Sequence, residues 1–127
     1  MTDTVSFADL GLNERLLKAL DKHNFTTPTA VQEATIPPAM YGQDLMVSAK
    51  TGSGKTAAFV LPILDKLLQS SPRNTGTRAL ILVPTRELAK HVFKQVKTLS
   101  SYTHIQTGLI IGGEDNNYQK VILRDNP

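Results

Sequence analysis

The residues best able to do chemistry lie together at Thr51-Gly52-Ser53-Gly54-Lys55-Thr56. Gly52 and Gly54 have no Cβ, so the chain can turn sharply there and let a ligand approach the main chain. Just upstream, Leu45, Met46 and Val47 form a short apolar run that reads as a buried strand. From Lys55 the period becomes helical, with Ala57, Ala58, Phe59, Leu61, Ile63, Leu64, Leu67 and Leu68 filling an apolar stripe. Strand, glycine turn and helix N-terminus together make an anion site, because N–H groups converge and the helix dipole favours negative charge. Lys55 adds a positive charge suited to β- and γ-phosphates. Thr56 offers a hydroxyl to a magnesium ion bridging them. The pattern G-x-x-x-x-G-K-[ST] asks for glycine at Ala49, so the match is incomplete. The competing reading is an ordinary strand–turn–helix connection.

A second candidate stands at Pro84-Thr85-Arg86-Glu87. It follows residues 78–83, whose run Ala79-Leu80-Ile81-Leu82-Val83 predicts a strand covered on both faces. Thr85 can cap a helix over 86–101 that starts with Arg86, an arrangement suited to a nucleic-acid phosphate. Lys90 and Lys94 continue the face of Arg86, with Lys97 near it, and read as a solvated helix face. A third candidate is Gly112-Gly113, after a predicted strand over 107–111. It could admit a phosphate backbone or be a plain turn. Parallel α/β sheets bind ligands beyond the carboxyl ends of their strands, which is where all three candidates fall.

The elements that must position these sites follow from periodicity and caps. Asn13 is a plausible N-cap for a helix over 14–23, with Leu16, Leu17 and Leu20 inward and Asn24 closing it in the left-handed conformation. Thr27 and Pro28 predict the start of a second helix, which Pro37-Pro38 should break or kink and Gly42 should end. Residues 70–77 read as a polar loop and residues 118–123 as a short helix. Strands alternating with helices predict an α/β fold with a parallel sheet. Within this frame Phe25 reads as core and Gln32 as a solvent-facing helical residue. Yet an aromatic face can stack on a base, and a Gln amide can match an adenine edge.

Composition narrows the classes. The 127 residues hold no cysteine, which excludes disulfides, cysteine-ligated zinc and thiol nucleophiles and is compatible with the cytosol. No stretch is apolar and long enough to span a membrane. The net charge of +3 permits an anionic partner without demanding one. Glu114 and Asp115 are neighbours in a predicted loop and do not read as an acid–base pair. His23, His91 and His104 lack metal-ligand spacing.

Taken together, the motifs resemble those of DEAD-box RNA helicases. Phe25-Thr26-Thr27-Pro28-Thr29-Ala30-Val31-Gln32, with Phe7 upstream, is similar to that family's Q motif. Ala49-Lys50-Thr51-Gly52-Ser53-Gly54-Lys55-Thr56 is similar to its motif I, where alanine is usual at the first position. Pro84-Thr85-Arg86-Glu87-Leu88-Ala89 resembles motif Ia, and Gly112-Gly113 the family's glycine doublet. The resemblance implies a RecA-like sheet flanked by helices, with ATP and magnesium as cofactors. Phe25 would stack on adenine, Gln32 would read its edge, and Thr27 would give a backbone contact. Residues 49–56 would hold the phosphates, with Thr56 at the metal. Pro84, Thr85, Arg86, Gly112 and Gly113 would grip an RNA sugar-phosphate chain regardless of sequence. Phe7 would pack behind the adenine pocket. Asn24 stands where the family usually has glycine, and Ala30 where proline is common.

The resemblance also implies parts that these residues lack: a Pro-Thr-Pro-Gly-Arg-like motif, the Asp-Glu-Ala-Asp box, a Ser-Ala-Thr motif and a second RecA-like domain. The expectation is therefore the N-terminal portion of a cytoplasmic helicase's ATP-binding domain, with a Q-motif region over 7–33. No catalytic residue is assigned, and little ATP turnover is expected from the chain alone. A strand expected beside Leu45–Val47 is also missing, which predicts an unpaired edge and marginal stability. The alternatives are a nucleotide kinase or GTPase built on the same loop, and a nucleotide- or RNA-binding module without turnover.

Overall fold

Helices arise where capping residues meet apolar periodicity. The computed structural model describes residues 4–69 and 76–127. Its elements are a 3-10 turn at Ala8–Leu10 and five helices: α1 Glu14–Lys22, α2 Ala30–Met40, α3 Lys55–Gln69, α4 Arg86–Leu99 and α5 Asn116–Arg124. The predicted loop over 70–77 lies, up to residue 75, outside the described residues.

Asn13 caps α1 as expected, its Oδ1 accepting from the Arg15 N–H at 2.9 Å. Asn24 sits beyond the end of α1 with φ +64°, the left-handed conformation expected of it. The start of α2 differs from the sequence reading. Thr29, not Thr27, is the N-cap. Its hydroxyl accepts from the Gln32 N–H at 3.3 Å, while Gln32 Oε1 accepts from the Thr29 N–H at 2.9 Å. That capping box satisfies two orphan donors at once, which Thr27 could not do with Ala30 three residues on.

Nor do Pro37 and Pro38 break α2, which runs through both to Met40. The carbonyls that lose their donors belong to the exposed residues Glu33 and Ala34, where solvent can take them. α5 is longer than expected because Asp115 caps it, its Oδ1 accepting from the Asn117 N–H at 2.9 Å.

The core lies among α1, α2, α3 and α4. Leu16, Leu20, Ile36, Leu61, Leu64 and Leu99 are 0–1% exposed, and Phe7 and Leu12 close over them. Burial of side chains this size stabilises by roughly 1.5–3 kcal/mol each. α2 packs chiefly on α3, which brings the capping box of one helix against the N-terminal loop of the other.

The predicted strands behave differently. Residues 45–47, 78–83 and 107–111 are non-helical, but no strand is formed among the described residues. Leu45, Met46 and Val47 are 43%, 102% and 44% exposed, which corrects the reading of a buried run. In residues 78–83, Ile81 and Val83 pack on the core while Leu80 and Leu82 are bare, so one face is covered rather than two. Residues 103–111 alternate half-buried and exposed at a period of two. These segments keep the side-chain alternation of strands without main-chain pairing. Among the described residues, no helix is long and apolar enough to cross a membrane.

Candidate functional site

The glycine loop before α3 turns sharply into the start of that helix. Gly52 and Gly54 adopt φ +83° and +87°, left-handed values that favour glycine. The Ser53 N–H closes the turn on the Lys50 carbonyl at 3.1 Å. Lys55 Nζ donates back across the loop to the Ala49 carbonyl. Ser53 Oγ is buried with no hydrogen-bond partner. A buried orphan hydroxyl costs free energy, so its place in this loop marks a position suited to a ligand oxygen. Thr56 is half-buried at the start of α3, while Lys50 and Thr51 are exposed.

Gln32 joins α2 to this loop. Its Oε1 completes the capping box, and its Nε2 donates to the Gly54 carbonyl at 3.2 Å. The residue is only 3% exposed, which corrects the reading of a solvent-facing helical position. A Cβ added at Gly54 would lie 2.5 Å from Gln32 Nε2 and 3.1 Å from Thr29 Oγ1, so glycine is needed there twice over. Phe25 is half-buried and packs against the core, and Thr27 is exposed.

The second and third candidates come together. Thr85 caps α4, its hydroxyl accepting from the Leu88 N–H at 3.1 Å, and Pro84 is exposed beside it. Arg86 reaches across to the Gly112 carbonyl, with Nη1 donating at 3.3 Å. Gly113 has φ +85°, and a Cβ there would lie 2.7 Å from the same Nη1. Gly112 and Gly113 are exposed, and their N–H groups have no protein partner among the described residues. Lys90, Lys94 and Lys97 are exposed along α4, as expected of a solvated face, and Lys97 Nζ lies 5.2 Å from the Phe93 ring centroid.

Comparison with known proteins assigns this arrangement to a family. The family model described as DEAD/DEAH box helicase matches residues 29–126. The chain belongs to the DEAD/DEAH box helicase family. It is 47% identical over 122 residues to DEAD-box ATP-dependent RNA helicase 28 of Arabidopsis thaliana, covering 96% of this chain and 16% of that protein. It is 49% identical over 109 residues to ATP-dependent RNA helicase SrmB of Escherichia coli, covering 85% of this chain and 24% of that protein. Among solved structures, the RNA helicase Prp28 of Chaetomium thermophilum bound to ADP matches with TM-score 0.85 and 35% identity, over 98% of this chain and 31% of that one. A DEAD box protein of Methanococcus jannaschii matches with TM-score 0.83 and 32% identity, over 96% of this chain and 33% of that one. The chain therefore follows the path of a RecA-like α/β domain, with its extended segments unpaired among the described residues.

A nucleoside triphosphate, the cofactor this helicase family implies, fits the loop by its donor chemistry. The orphan Ser53 Oγ and an ammonium resting only on a main-chain carbonyl are groups a phosphate would satisfy better. Magnesium fits only together with that phosphate. The loop's metal-facing candidate is the single hydroxyl of Thr56, and no cluster of three or more His, Asp or Glu side chains able to hold a metal occurs among the described residues.

Sequence reasoning missed two residues here. Thr29 was signalled by the glutamine three positions later. Gln119, whose Oε1 accepts from the Ile111 N–H at 2.7 Å, carried no signal at all.

Proposed function

We propose that these residues form the nucleotide-binding part, and one wall of the RNA-binding part, of an ATP-dependent RNA helicase. The observation that carries the reading is the buried Gln32 amide bonded to the Gly54 carbonyl, which ties a base-reading side chain to a phosphate cradle. Bound ATP would supply the triphosphate, and magnesium would supply positive charge to offset that of the phosphates.

Residues 49–56 would surround the phosphates, with Lys55 leaving the Ala49 carbonyl for an anionic oxygen and Ser53 Oγ gaining a partner. Thr56 would face the metal. Phe25 would stack on the purine, Gln32 would present its second amide N–H and second oxygen lone pair to the adenine edge, and Thr27 would add a main-chain contact. Pro84, Thr85, Arg86, Gly112 and Gly113 would line an RNA sugar-phosphate track. Guanidinium and main-chain N–H groups recognise phosphate without reading sequence. A guanidinium has five N–H donors, so Arg86 can keep the Gly112 carbonyl and still meet a phosphate.

We propose further that the sheet is completed by residues beyond these 127. The exposure of Leu45, Met46 and Val47 supports this, as do relatives of which the matched residues make up only 16% and 24%. The rival of a GTPase is disfavoured by Gln32, which suits an adenine edge.

The test is ATP turnover by the full-length gene product with and without single-stranded RNA. Stimulation by RNA of unrelated sequences is expected. Turnover indifferent to RNA would overturn the helicase reading and leave a nucleotide-binding module in its place.

A further inference from the structure

α5 buries a single residue among those described, and that residue is polar: Gln119, 9% exposed. Its neighbours Tyr118 and Val121 are 65% and 50% exposed; the half-buried Ile122 lies against Gly108, so α5 rests on the extended segment through one apolar side chain and one polar one. What Gln119 does there is accept, through Oε1, the N–H of Ile111 at 2.7 Å. Ile111 is the last residue before the Gly112-Gly113 turn. Its N–H points out of an extended segment that has no pairing partner among the described residues. On the other side of the turn, Arg86 Nη1 holds the Gly112 carbonyl at 3.3 Å. The main chain is thus fixed both just before the turn and within it, while the Gly112 and Gly113 N–H groups are left exposed.

We infer that Gln119 is a positioning residue for RNA binding: with Arg86 it brackets the Gly112-Gly113 turn so that the turn's N–H groups are presented to a phosphodiester. The inference rests on the proposed RNA-binding role of the turn. A turn held at two points needs little ordering when a phosphate arrives, and that preorganisation raises affinity without any contact between Gln119 and RNA. Gln119 needs only an acceptor oxygen at this position. Its amide N–H group has no part in the contact.

The test uses the full-length gene product, a fluorescent oligouridylate and a non-hydrolysable ATP analogue, with binding of a fluorescent ADP in the absence of RNA as a second readout. Gln119→Met keeps side-chain length but removes the acceptor, and should weaken RNA binding about tenfold, the scale of one lost buried hydrogen bond. Gln119→Glu keeps an acceptor oxygen but adds a negative charge near the phosphodiester, so at salt high enough to screen that charge it should lose clearly less RNA affinity than the Met variant. ADP affinity should be unchanged in both. The inference is overturned if the Met variant binds RNA like wild type, or if the Glu variant at that salt loses as much as the Met variant. A third measurement does not depend on either variant folding: amide exchange in the wild type should show Ile111 protected relative to Gly112 and Gly113, and rapid exchange at Ile111 overturns the inference. If the wild-type protein itself fails to bind the oligouridylate, the proposed function fails instead.

Discussion

The turn at Gly52–Gly54 and the turn at Gly112–Gly113 both use left-handed glycine, and both are touched by a side chain from another element. The touching groups differ. At the first turn the neighbour is a buried amide locked by its own capping box, with Gln32 Nε2 2.5 Å and Thr29 Oγ1 3.1 Å from where a Gly54 Cβ would stand. At the second it is the far end of an exposed arginine, 2.7 Å from a Gly113 Cβ, with the next atom of that side chain at 3.8 Å. A buried amide held at both its oxygen and its nitrogen has little room to retreat, whereas an exposed guanidinium can. The first turn is therefore rigidly coupled to the start of α2, and the second is adjustable.

The largest expected effect comes from removing the charge the first turn holds in reserve. Lys55→Ala should weaken ATP binding roughly 10- to 100-fold, the scale of a charge-assisted hydrogen bond, as measured by calorimetry on the full-length gene product. Gly54→Ala should come next. It forces an L side chain to φ +87° and into Gln32, so it should cost about 2 kcal/mol in thermal or denaturant unfolding. Combining it with Gln32→Ala should cost less than the sum of the two, because the closest clash is then gone and only the Thr29 contact remains. Gly113→Ala should be milder, since Arg86 can move aside. The left-handed backbone alone should cost about 1 kcal/mol in the same unfolding measurement and leave ADP binding unchanged. Equal losses at the two glycines would erase the distinction between the turns.

Smallest of all is an effect remote from both turns. Asp9 is held below its ordinary value of 3.8, first by the Ser6 N–H and then by the Ser6 side chain. A depressed carboxylate contributes stability above its unfolded value and loses it as pH falls through the folded one, so the contribution begins to fade below about pH 4 and is gone only below the lowered folded value. Asp9→Asn should make the acid limb of a melting-temperature profile slightly flatter, and an unchanged limb would argue against the Ser6 contact.

The helices were legible because their signals are local. Asn13 and Thr85 sit one residue before apolar periods of 3.6, and the stripe from Ala57 to Leu68 leaves no doubt about α3. Where two threonines competed to cap α2, the deciding glutamine was also in the sequence, three residues after Thr29. The extended segments were harder. An apolar run reports a tendency to be covered, but pairing depends on neighbours that the run does not encode, so Leu80 and Leu82 read as buried and are bare. The candidate site divides in the same way. Glycines, Lys55 and Arg86 announce themselves by type and spacing. Gln32 looked solvent-facing because only tertiary packing of α2 on α3 buries it. Gln119 stands among other polar residues, Asn116, Asn117 and Lys120, and nothing in that context marks it as the partner of a main-chain N–H eight residues upstream.

The central claim is that one buried amide serves both the phosphate loop and the choice of base. Calorimetric titration of the full-length gene product with ATP and with GTP, for wild type and Gln32→Ala, tests it most directly. The account predicts a clear preference of the wild type for ATP, and in the variant a loss of ATP affinity that brings the two nucleotides close together. A wild type that binds GTP as tightly as ATP, or a Gln32→Ala protein that keeps full preference for ATP, would contradict it.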